Sequence, residues 1–154
     1  MGLDMYLEAD VSICEYEKSP QATALREAVK QNFEGLYNPN NSFIGGKVTI
    51  PLAYWRKSNQ IHAWFVKNVQ EGVDECERSY VEREKLEALL AACKQVQANH
   101  SHADEILPTR EGFFFGDTSY SEYYYGDIDR TVKMLERILE HLPKDADVYY
   151  HSSW

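Results

Sequence analysis

Alternation of apolar and polar side chains predicts extended chain in several parts of the sequence. Residues 3–17 alternate with a period of two on both sides of Asp10, which predicts one long strand or a bent pair of strands, and residues 47–54 repeat the pattern, which is typical of strands with one buried face. The stretch 147–154 is interpreted as a C-terminal strand. Because proline cannot donate to a strand ladder, Pro51 predicts that the second strand lies at a sheet edge or where pairing ends.

Three consecutive phenylalanines at 113–115 predict a further strand. They leave neither face of an extended segment polar, and that composition is typical of a strand buried on both faces. Together with the N-terminal, 47–54 and C-terminal segments, it predicts a small and largely antiparallel sheet.

Helical spacing of apolar residues predicts four helices between the strands. The first has the strongest local signal, because Ser19-Pro20 combines a hydroxyl N-cap with proline at the first helical position. The third has a capping box, Ser79 with Glu82 three residues later. The helices are expected to begin at Ser19, Ser58, Ser79 and either Thr118 or Ser119, and to end near Leu36, Gln70, Asn99 and Leu142. The sequence therefore predicts a single α+β domain over residues 1–154, with three or four helices packed on the sheet.

The length and the net charge of the chain limit the classes of function that the protein can have. The chain has 154 residues, near the commonest length of a single domain. It has 25 Asp and Glu against 16 Lys and Arg, which gives a net charge of −9. That field opposes direct binding to nucleic acid. It favours a basic partner or imitation of nucleic acid, and ordinary solubility is the alternative explanation.

Cysteine usage and the N-terminal segment predict a protein of the cytoplasm. Cys14, Cys76 and Cys93 are odd in number, widely spaced and form no CxxC pair, so reduced thiols are expected and no metal site or cofactor is predicted. The first seven residues lack the basic and apolar regions of a signal peptide. No apolar run approaches the roughly 18 residues that a membrane span needs.

The densest mixture of aromatic side chains and hydrogen-bond donors lies in residues 54–66. Arg56 and Lys57 come just before a helix N-terminus, where unpaired N–H groups favour an anion, and their aromatic neighbours offer stacking surfaces. If the first strand lies beside this helix entrance, one site for a phosphorylated or nucleotide-like ligand is predicted. Its candidate residues are Asp4, Tyr54, Trp55, Arg56, Asn59 and His62.

Two other interpretations of that segment stay open. In the first, Trp55 is core, Arg56 pairs with Asp4, and His62 is a hydrogen-bonded structural histidine. In the second, His62 is the general base of a hydrolase or transferase, although no serine or cysteine stands in a recognised nucleophile context. Asp74 belongs to an acidic run that is interpreted as a solvated loop.

Tyr123, Tyr124 and Tyr125 are the candidate partner-binding residues. A helix cannot bury three consecutive rings, so at least one is expected at the surface. Tyrosine is enriched in recognition surfaces, which predicts a face for a protein partner. An exposed tyrosine without a role is the alternative.

Six short motifs, spread from the first residue to the last, carry a resemblance. They are MGLDMYL at 1–7, YWRK at 54–57, IHAWFV at 61–66, LPT at 107–109, GFFFG at 112–116 and YYHSSW at 149–154. In this order they resemble a family of small proteins of bacteriophages and prophages. The stretch 16–46 has no matching motif and is interpreted as a variable segment. The resemblance implies no particular reaction or ligand.

A phage origin implies a small accessory protein that binds and redirects host machinery, including inhibitors of anti-phage defence. The leading hypothesis is therefore that the protein binds a host protein in the host cytoplasm, without catalysis and without a cofactor. The alternative is a protein that binds a small anionic ligand or nucleotide through Trp55, Arg56 and His62. A hydrolase or transferase with His62 as base comes third. No membrane contact is expected, and the oligomeric state is left open.

Overall fold

The computed structural model describes residues 2–35, 46–144 and 146–154. Within them the chain forms one open sheet of four antiparallel strands and five α-helices, which confirms the predicted α+β class. The strands are β1 (Asp4–Ser12), β2 (Lys47–Arg56), β3 (Ser79–Tyr80) and β4 (Asp147–Ser153). The helices are α1 (Pro20–Asn32), α2 (Asn59–Asn68), α3 (Arg83–Ala98), α4 (Ala103–Ile106) and α5 (Glu122–His141).

Strand β1 lies inside the sheet, whose order is β2-β1-β4-β3. It pairs antiparallel with both neighbours, so that Asp4 lies opposite Arg56 of β2 and opposite Ser153 of β4. β2 is therefore an edge strand, as Pro51 predicted. The register of β1 and β2 shifts beside Pro51, at a position where proline offers no ladder donor.

One buried cluster joins the sheet to the helices packed against it. On β1, Met5, Leu7 and Ala9 are buried and the residues between them are partly exposed, so the period of two turns one face to the core. Helices α2, α3 and α5 add apolar side chains to the same cluster. Phe65 of α2 stacks on Tyr150 of β4, with ring centroids 4.0 Å apart.

Asp10 ties the central strand to its surroundings and is 6% exposed. Arg78 donates to both carboxylate oxygens, at 3.1 and 2.9 Å, and Lys47 and Thr49 donate at 2.6 and 2.8 Å. Burial opposes ionisation of this carboxyl group, but the hydrogen bonds outweigh burial and hold the pKa of Asp10 well below its usual value. The cluster joins β1 to β2 and to the chain entering β3.

The predicted strand at 113–115 is wrong, because these residues form a turn in the loop between α4 and α5. The Phe115 N–H donates to the Gly112 carbonyl at 3.2 Å. Phe115 is buried, whereas Phe113 is 93% exposed. A Cβ on Gly112 would lie 2.5 Å from the Phe115 ring, so this close approach requires glycine.

The predicted capping box of the third helix is also wrong. Ser79 lies in β3 and pairs with Tyr150 of β4, and its hydroxyl accepts from the Gln70 amide at 3.2 Å. Helix α3 begins four residues later, at Arg83, with Glu82 in the N-cap position. A strand pairing between distant segments therefore overrode the local helix signal.

Helix α5 begins at Glu122, and neither Thr118 nor Ser119 caps it. The hydroxyl and the N–H of Ser119 both donate to the carboxylate of Asp117, so this serine closes a turn of its own. β1 ends at Ser12 and is shorter than predicted.

The predicted start of α1 is confirmed. The Ser19 hydroxyl accepts from the Ala22 N–H at 3.2 Å, and Pro20 is the first helical residue. The helix ends at Asn32, and Leu36, its predicted end, lies outside the described residues. In the described part of the chain, no helix is both long and apolar enough to cross a membrane.

Candidate functional site

The six residues predicted to form one ligand site occupy different environments. Asp4, Tyr54 and Arg56 lie together on the solvent side of the β1–β2 pair. The Tyr54 hydroxyl donates to Asp4, and the Arg56 guanidinium lies 4.0 Å from the same carboxylate. The hydrogen bond to Asp4, with burial, raises the pKa of Tyr54. The Arg56 side chain is 60% exposed, and exposed pairs of this kind contribute little stability.

Trp55 points to the opposite face of β2 and is fully buried, as alternation along a strand requires. Its indole N–H donates to the Thr131 hydroxyl of α5 at 2.9 Å, and its ring lies 6.0 Å from that of Phe65. Trp55 therefore anchors β2 to α5 and presents no stacking surface to a ligand.

Asn59 positions the loop between α4 and α5. Its amide nitrogen donates to the carbonyls of Phe115 and Asp117, at 3.1 and 2.9 Å, and its oxygen accepts from the Arg110 N–H at 3.0 Å. The residue is 1% exposed. All three bonds go to backbone groups of the loop, so Asn59 shapes the neighbourhood of Arg56 without facing solvent itself.

His62 lies at the centre of a buried polar network. It is fully buried, its Nδ1 lies 2.7 Å from the Tyr150 hydroxyl, and its Nε2 lies 3.0 Å from an oxygen of Asp74. Asp74 also accepts from Arg110 at 3.0 Å and from the Trp154 indole at 3.1 Å. Burial lowers the pKa of His62 and outweighs the opposing effect of Asp74.

These contacts determine which nitrogen of His62 carries the hydrogen and how far the ring is closed off from solvent. A carboxylate only accepts, so Nε2 carries the hydrogen and Nδ1 accepts from the Tyr150 hydroxyl. Burial raises the pKa of Tyr150, which keeps that hydroxyl protonated. Both ring nitrogens are engaged, and Phe115 lies edge-on at 5.1 Å. The hypothesis that His62 is a general base does not match this geometry, because a substrate has no access to the imidazole.

Sequence reasoning missed the partners of His62. Asp74 was expected in a solvated loop, but its side chain is only 9% exposed. The bonded partners lie 12 and 88 residues away in sequence, and nothing local distinguishes Asp74 from the exposed Glu75 and Glu77 beside it. Pairings at that separation leave no periodic signal.

A pocket of about 400 Å³ opens beside Arg56, and neither Trp55 nor His62 lines it. Its walls come from the entrance of α2, from the loop that follows Phe115 and from the first turns of α5. The charged and amide side chains that line it are Arg56, Lys57, Gln60, Asp117, Asp127 and Arg130. The volume lies in the range of small-molecule sites. We call this cavity the Arg56 pocket.

The backbone of the pocket wall is tightly packed. Lys57 has φ of 57° and Gly116 has φ of 90°. A Cβ on Gly116 would lie 3.0 Å from the Lys57 Cβ, so the loop and the entrance of α2 touch at a glycine. The Lys57 N–H donates to the Leu3 carbonyl at 2.7 Å, which adds the N-terminal segment to the same wall.

The three consecutive tyrosines of α5 divide between surface and core, as the helical geometry predicted. Tyr124 is 4% exposed and donates to the Leu107 carbonyl at 2.8 Å, and burial raises its pKa. Tyr125 is partly buried and stacks on His100 at 3.8 Å. Tyr123 is 79% exposed and lines the Arg56 pocket.

Exposed aromatic side chains mark the segment that leads into α5. Phe113, Tyr120 and Tyr123 are 93%, 37% and 79% exposed, and we call them the aromatic rim. Phe113 was missed as a surface residue because its neighbours predicted a buried strand. Of the three, Tyr123 lines the Arg56 pocket, so the rim meets that pocket at this residue.

A second groove, of about 450 Å³, lies between β2 and the C-terminal end of α5. Ile50, Leu52 and Leu142 contribute to its mainly apolar lining. Arg137 crosses from α5 to donate to the Leu52 carbonyl at 2.9 Å. None of the predicted site residues lines this groove. Within residues 2–35, 46–144 and 146–154, no group of three or more His, Cys, Asp or Glu side chains is placed to hold a metal ion.

Comparison of the chain with protein-family models, with curated proteins and with solved structures found no match.

Proposed function

We propose that the protein acts by binding, as a phage or prophage accessory protein that contacts a host protein through the aromatic rim. The observation that carries this proposal is the exposure of Phe113 and Tyr123, at 93% and 79%. Aromatic side chains are enriched at protein interfaces and often dominate their energetics. The resemblance of its motifs to those of phage and prophage proteins supports a host protein as the partner, and binding is expected to redirect or inhibit host machinery, including its defences.

Hydrogen bonds and packing hold the backbone that carries the aromatic rim in place, and this favours a binding role. Asn59 holds two carbonyls of the loop, and Phe115 is packed in the core beside His62. Tyr124 anchors the first turn of α5 to Leu107. A surface held in place before contact loses less conformational entropy on association. The enclosure of His62 likewise supports a binding role over a hydrolase or transferase.

Replacing Phe113 and Tyr123 together by alanine is expected to abolish capture of the host protein. Wild-type and variant chains serve as baits in a lysate of the bacterial host, and the captured protein is then purified and its affinity measured directly. Affinity should fall at least tenfold, because an aromatic anchor at an interface contributes about 2 kcal/mol or more.

Phe33→Ala is the matched control for this experiment. Phe33 is 55% exposed but lies at the end of α1, outside the rim, so this variant should bind like wild type. A partner that the double variant retains, or that Phe33→Ala loses equally, contradicts the proposal. Tyr124→Ala is unsuitable as a probe of the surface, because its ring is buried and its loss would act through stability.

Binding of a small anionic ligand is a second candidate function, and the Arg56 pocket favours it. Arg56 was expected beside such a site and lines the pocket. Trp55 and His62, expected there too, are enclosed in the core. Gln60 and Lys57 line the pocket and lie outside the rim, so variants at these two residues test ligand binding separately from partner binding.

A further inference from the structure

Gln60 has a buried side-chain donor without a partner. The residue is 3% exposed and lines the Arg56 pocket. Its amide nitrogen has no hydrogen-bond partner among the described residues. Buried donors are nearly always paired in native proteins, because an unpaired one retains the cost of leaving water. Because Gln60 lines the Arg56 pocket, an acceptor that enters the pocket from outside the chain would pair this buried amide.

Two helix N-termini meet at the same pocket. Gln60 in the first turn of α2 and Ser121 before α5 both line it. Neither N-cap serine bonds to its own helix, and the Ser58 hydroxyl donates instead to Asp127 at 2.6 Å. In α2 the N–H groups of Asn59 and Ile61 already donate to the carbonyls of Lys57 and Ser58, so the helix dipoles and the remaining N–H groups of the first turns are what favour an anion.

Cationic side chains of the pocket remain available to such an anion. Lys57 has no ion pair within the described ranges, and Arg56 reaches Asp4 only at 4.0 Å. Arg130 pairs with Asp127 and its side chain is 54% exposed. Three cations and two acids line the cavity, so its lining has one more positive than negative side chain in a chain whose net charge is −9.

The two acids of the pocket are occupied by donors of the chain itself. Asp117 accepts from Ser119, and these hydrogen bonds hold the pKa of Asp117 below its usual value. Asp127 accepts from Ser58 and Arg130. Each carboxylate keeps further acceptor capacity, which suits hydroxyl groups on a ligand. A bare anion would leave that capacity unused.

We propose that the Arg56 pocket binds a phosphomonoester of a hydroxylated compound, namely a sugar phosphate or a nucleoside monophosphate. Its phosphate group lies against Gln60, Lys57 and the first turn of α5. Ligand hydroxyls donate to Asp117 and Asp127, and the exposed ring of Tyr123 offers a stacking surface at the opening. This inference names the ligand of the second candidate function and rests on it, and a failure to bind such a ligand would leave the proposal of partner binding at the aromatic rim standing.

Calorimetric titration tests the inference with four probes: ribose 5-phosphate, adenosine 5′-monophosphate, inorganic phosphate and unphosphorylated adenosine. At least one of the two phosphomonoesters should bind wild type, at least tenfold more tightly than inorganic phosphate and adenosine do. Gln60→Leu should weaken that binding at least tenfold without lowering the melting temperature, because leucine removes an unpaired donor. Lys57→Asn should weaken it similarly, and asparagine tolerates the positive φ at this position.

Lys133→Gln is the matched control, since it removes one exposed cation from α5 at a residue outside the pocket lining. It should bind the probe like wild type. The inference is overturned if neither phosphomonoester binds, or if Gln60→Leu and Lys57→Asn bind like wild type. Adenosine binding as tightly as its monophosphate, and lost in Gln60→Leu, would overturn the ligand class while retaining small-ligand binding in the pocket.

Discussion

The imidazole of His62 exchanges water for two hydrogen bonds, to Asp74 and to the Tyr150 hydroxyl. A second proton on the ring would meet the donating hydroxyl and would put a charge in a buried position. Burial accordingly lowers the pKa of His62. At the scale of single residues, the folded chain therefore resists a proton that the unfolded chain takes up.

Acid is expected to destabilise the protein through His62. The unfolded histidine binds a proton below about pH 6.5 and the folded one does not, so this contribution is fully present above pH 6.5 and is lost as the pH falls toward the lower folded pKa. His62→Gln should reduce the dependence of the free energy of unfolding on pH. At about pH 7.5 it should lower the free energy of unfolding by about 1–3 kcal/mol, because buried partners lose a hydrogen bond.

Urea unfolding at about pH 7.5 and about pH 5.5 measures both effects. His141→Gln, at an exposed histidine of α5, is the control and should keep the wild-type dependence on pH. If His62→Gln loses as much stability between the two pH values as wild type does, other groups account for the acid sensitivity.

The sequence showed which kinds of side chain lie in the 54–66 segment, but it did not show which residues these side chains contact. Trp55 and Arg56 are neighbours on a strand and therefore face opposite sides of the sheet. His62 follows in a helix and turns inward to Tyr150, which lies 88 residues away in sequence. The contacts seen are those of the interpretation in which Trp55 is core, Arg56 faces Asp4 and His62 is hydrogen-bonded. The unpaired amide of Gln60 had no sequence signal.

At the scale of elements, local chemistry predicted well where it was complete within a few residues. Ser19-Pro20 contains both parts of a helix start, and Pro51 restricts its strand to an edge. Ser79 and the 113–115 segment carried equally strong local signals. Ser79 instead pairs with Tyr150 of β4, and the 113–115 segment instead forms a turn closed by the Phe115–Gly112 hydrogen bond. Tertiary contacts of that kind leave no trace in a window of neighbouring residues.

Alanine at two glycines should have opposite effects on stability. At Gly112 the new Cβ would lie 2.5 Å from the Phe115 ring, so the ring must move and the free energy of unfolding should fall by about 1–3 kcal/mol. At Gly126, within α5, no heavy atom lies within 4 Å of the new Cβ. There the free energy of unfolding should rise by up to about 1 kcal/mol through helix propensity.

Urea unfolding of both variants at one pH makes each the control of the other. Gly112→Ala with wild-type stability would show that the loop accommodates the methyl group, and the turn would then not depend on glycine. Loss of stability in Gly126→Ala would indicate a role for that position beyond helix propensity.

At the scale of the whole molecule, the aromatic rim and the Arg56 pocket share Tyr123. A ligand that stacks on this ring would cover a residue of the proposed partner surface. Saturating adenosine 5′-monophosphate is therefore expected to weaken partner binding about fivefold or more, and the partner should weaken binding of the nucleotide by the same factor. Measuring the partner's dissociation constant with and without the nucleotide tests this coupling.

Gln60→Leu serves as the control for that coupling. It should bind the partner like wild type in the absence of nucleotide and should need at least tenfold more nucleotide for the same loss of partner binding. An equal nucleotide effect in wild type and in Gln60→Leu would place the effect outside the pocket.

The pairing of β1 with β4 also determines how the chain folds. Asp4 lies opposite Ser153, so the two inner strands join segments that are far apart in sequence, and closing so long a loop is slow compared with forming helices. Refolding should therefore pass through an interval in which helical segments have formed while β1 lacks its inner neighbour. During that interval β1 exposes unpaired backbone, and at high concentration a second chain can take the place of β4.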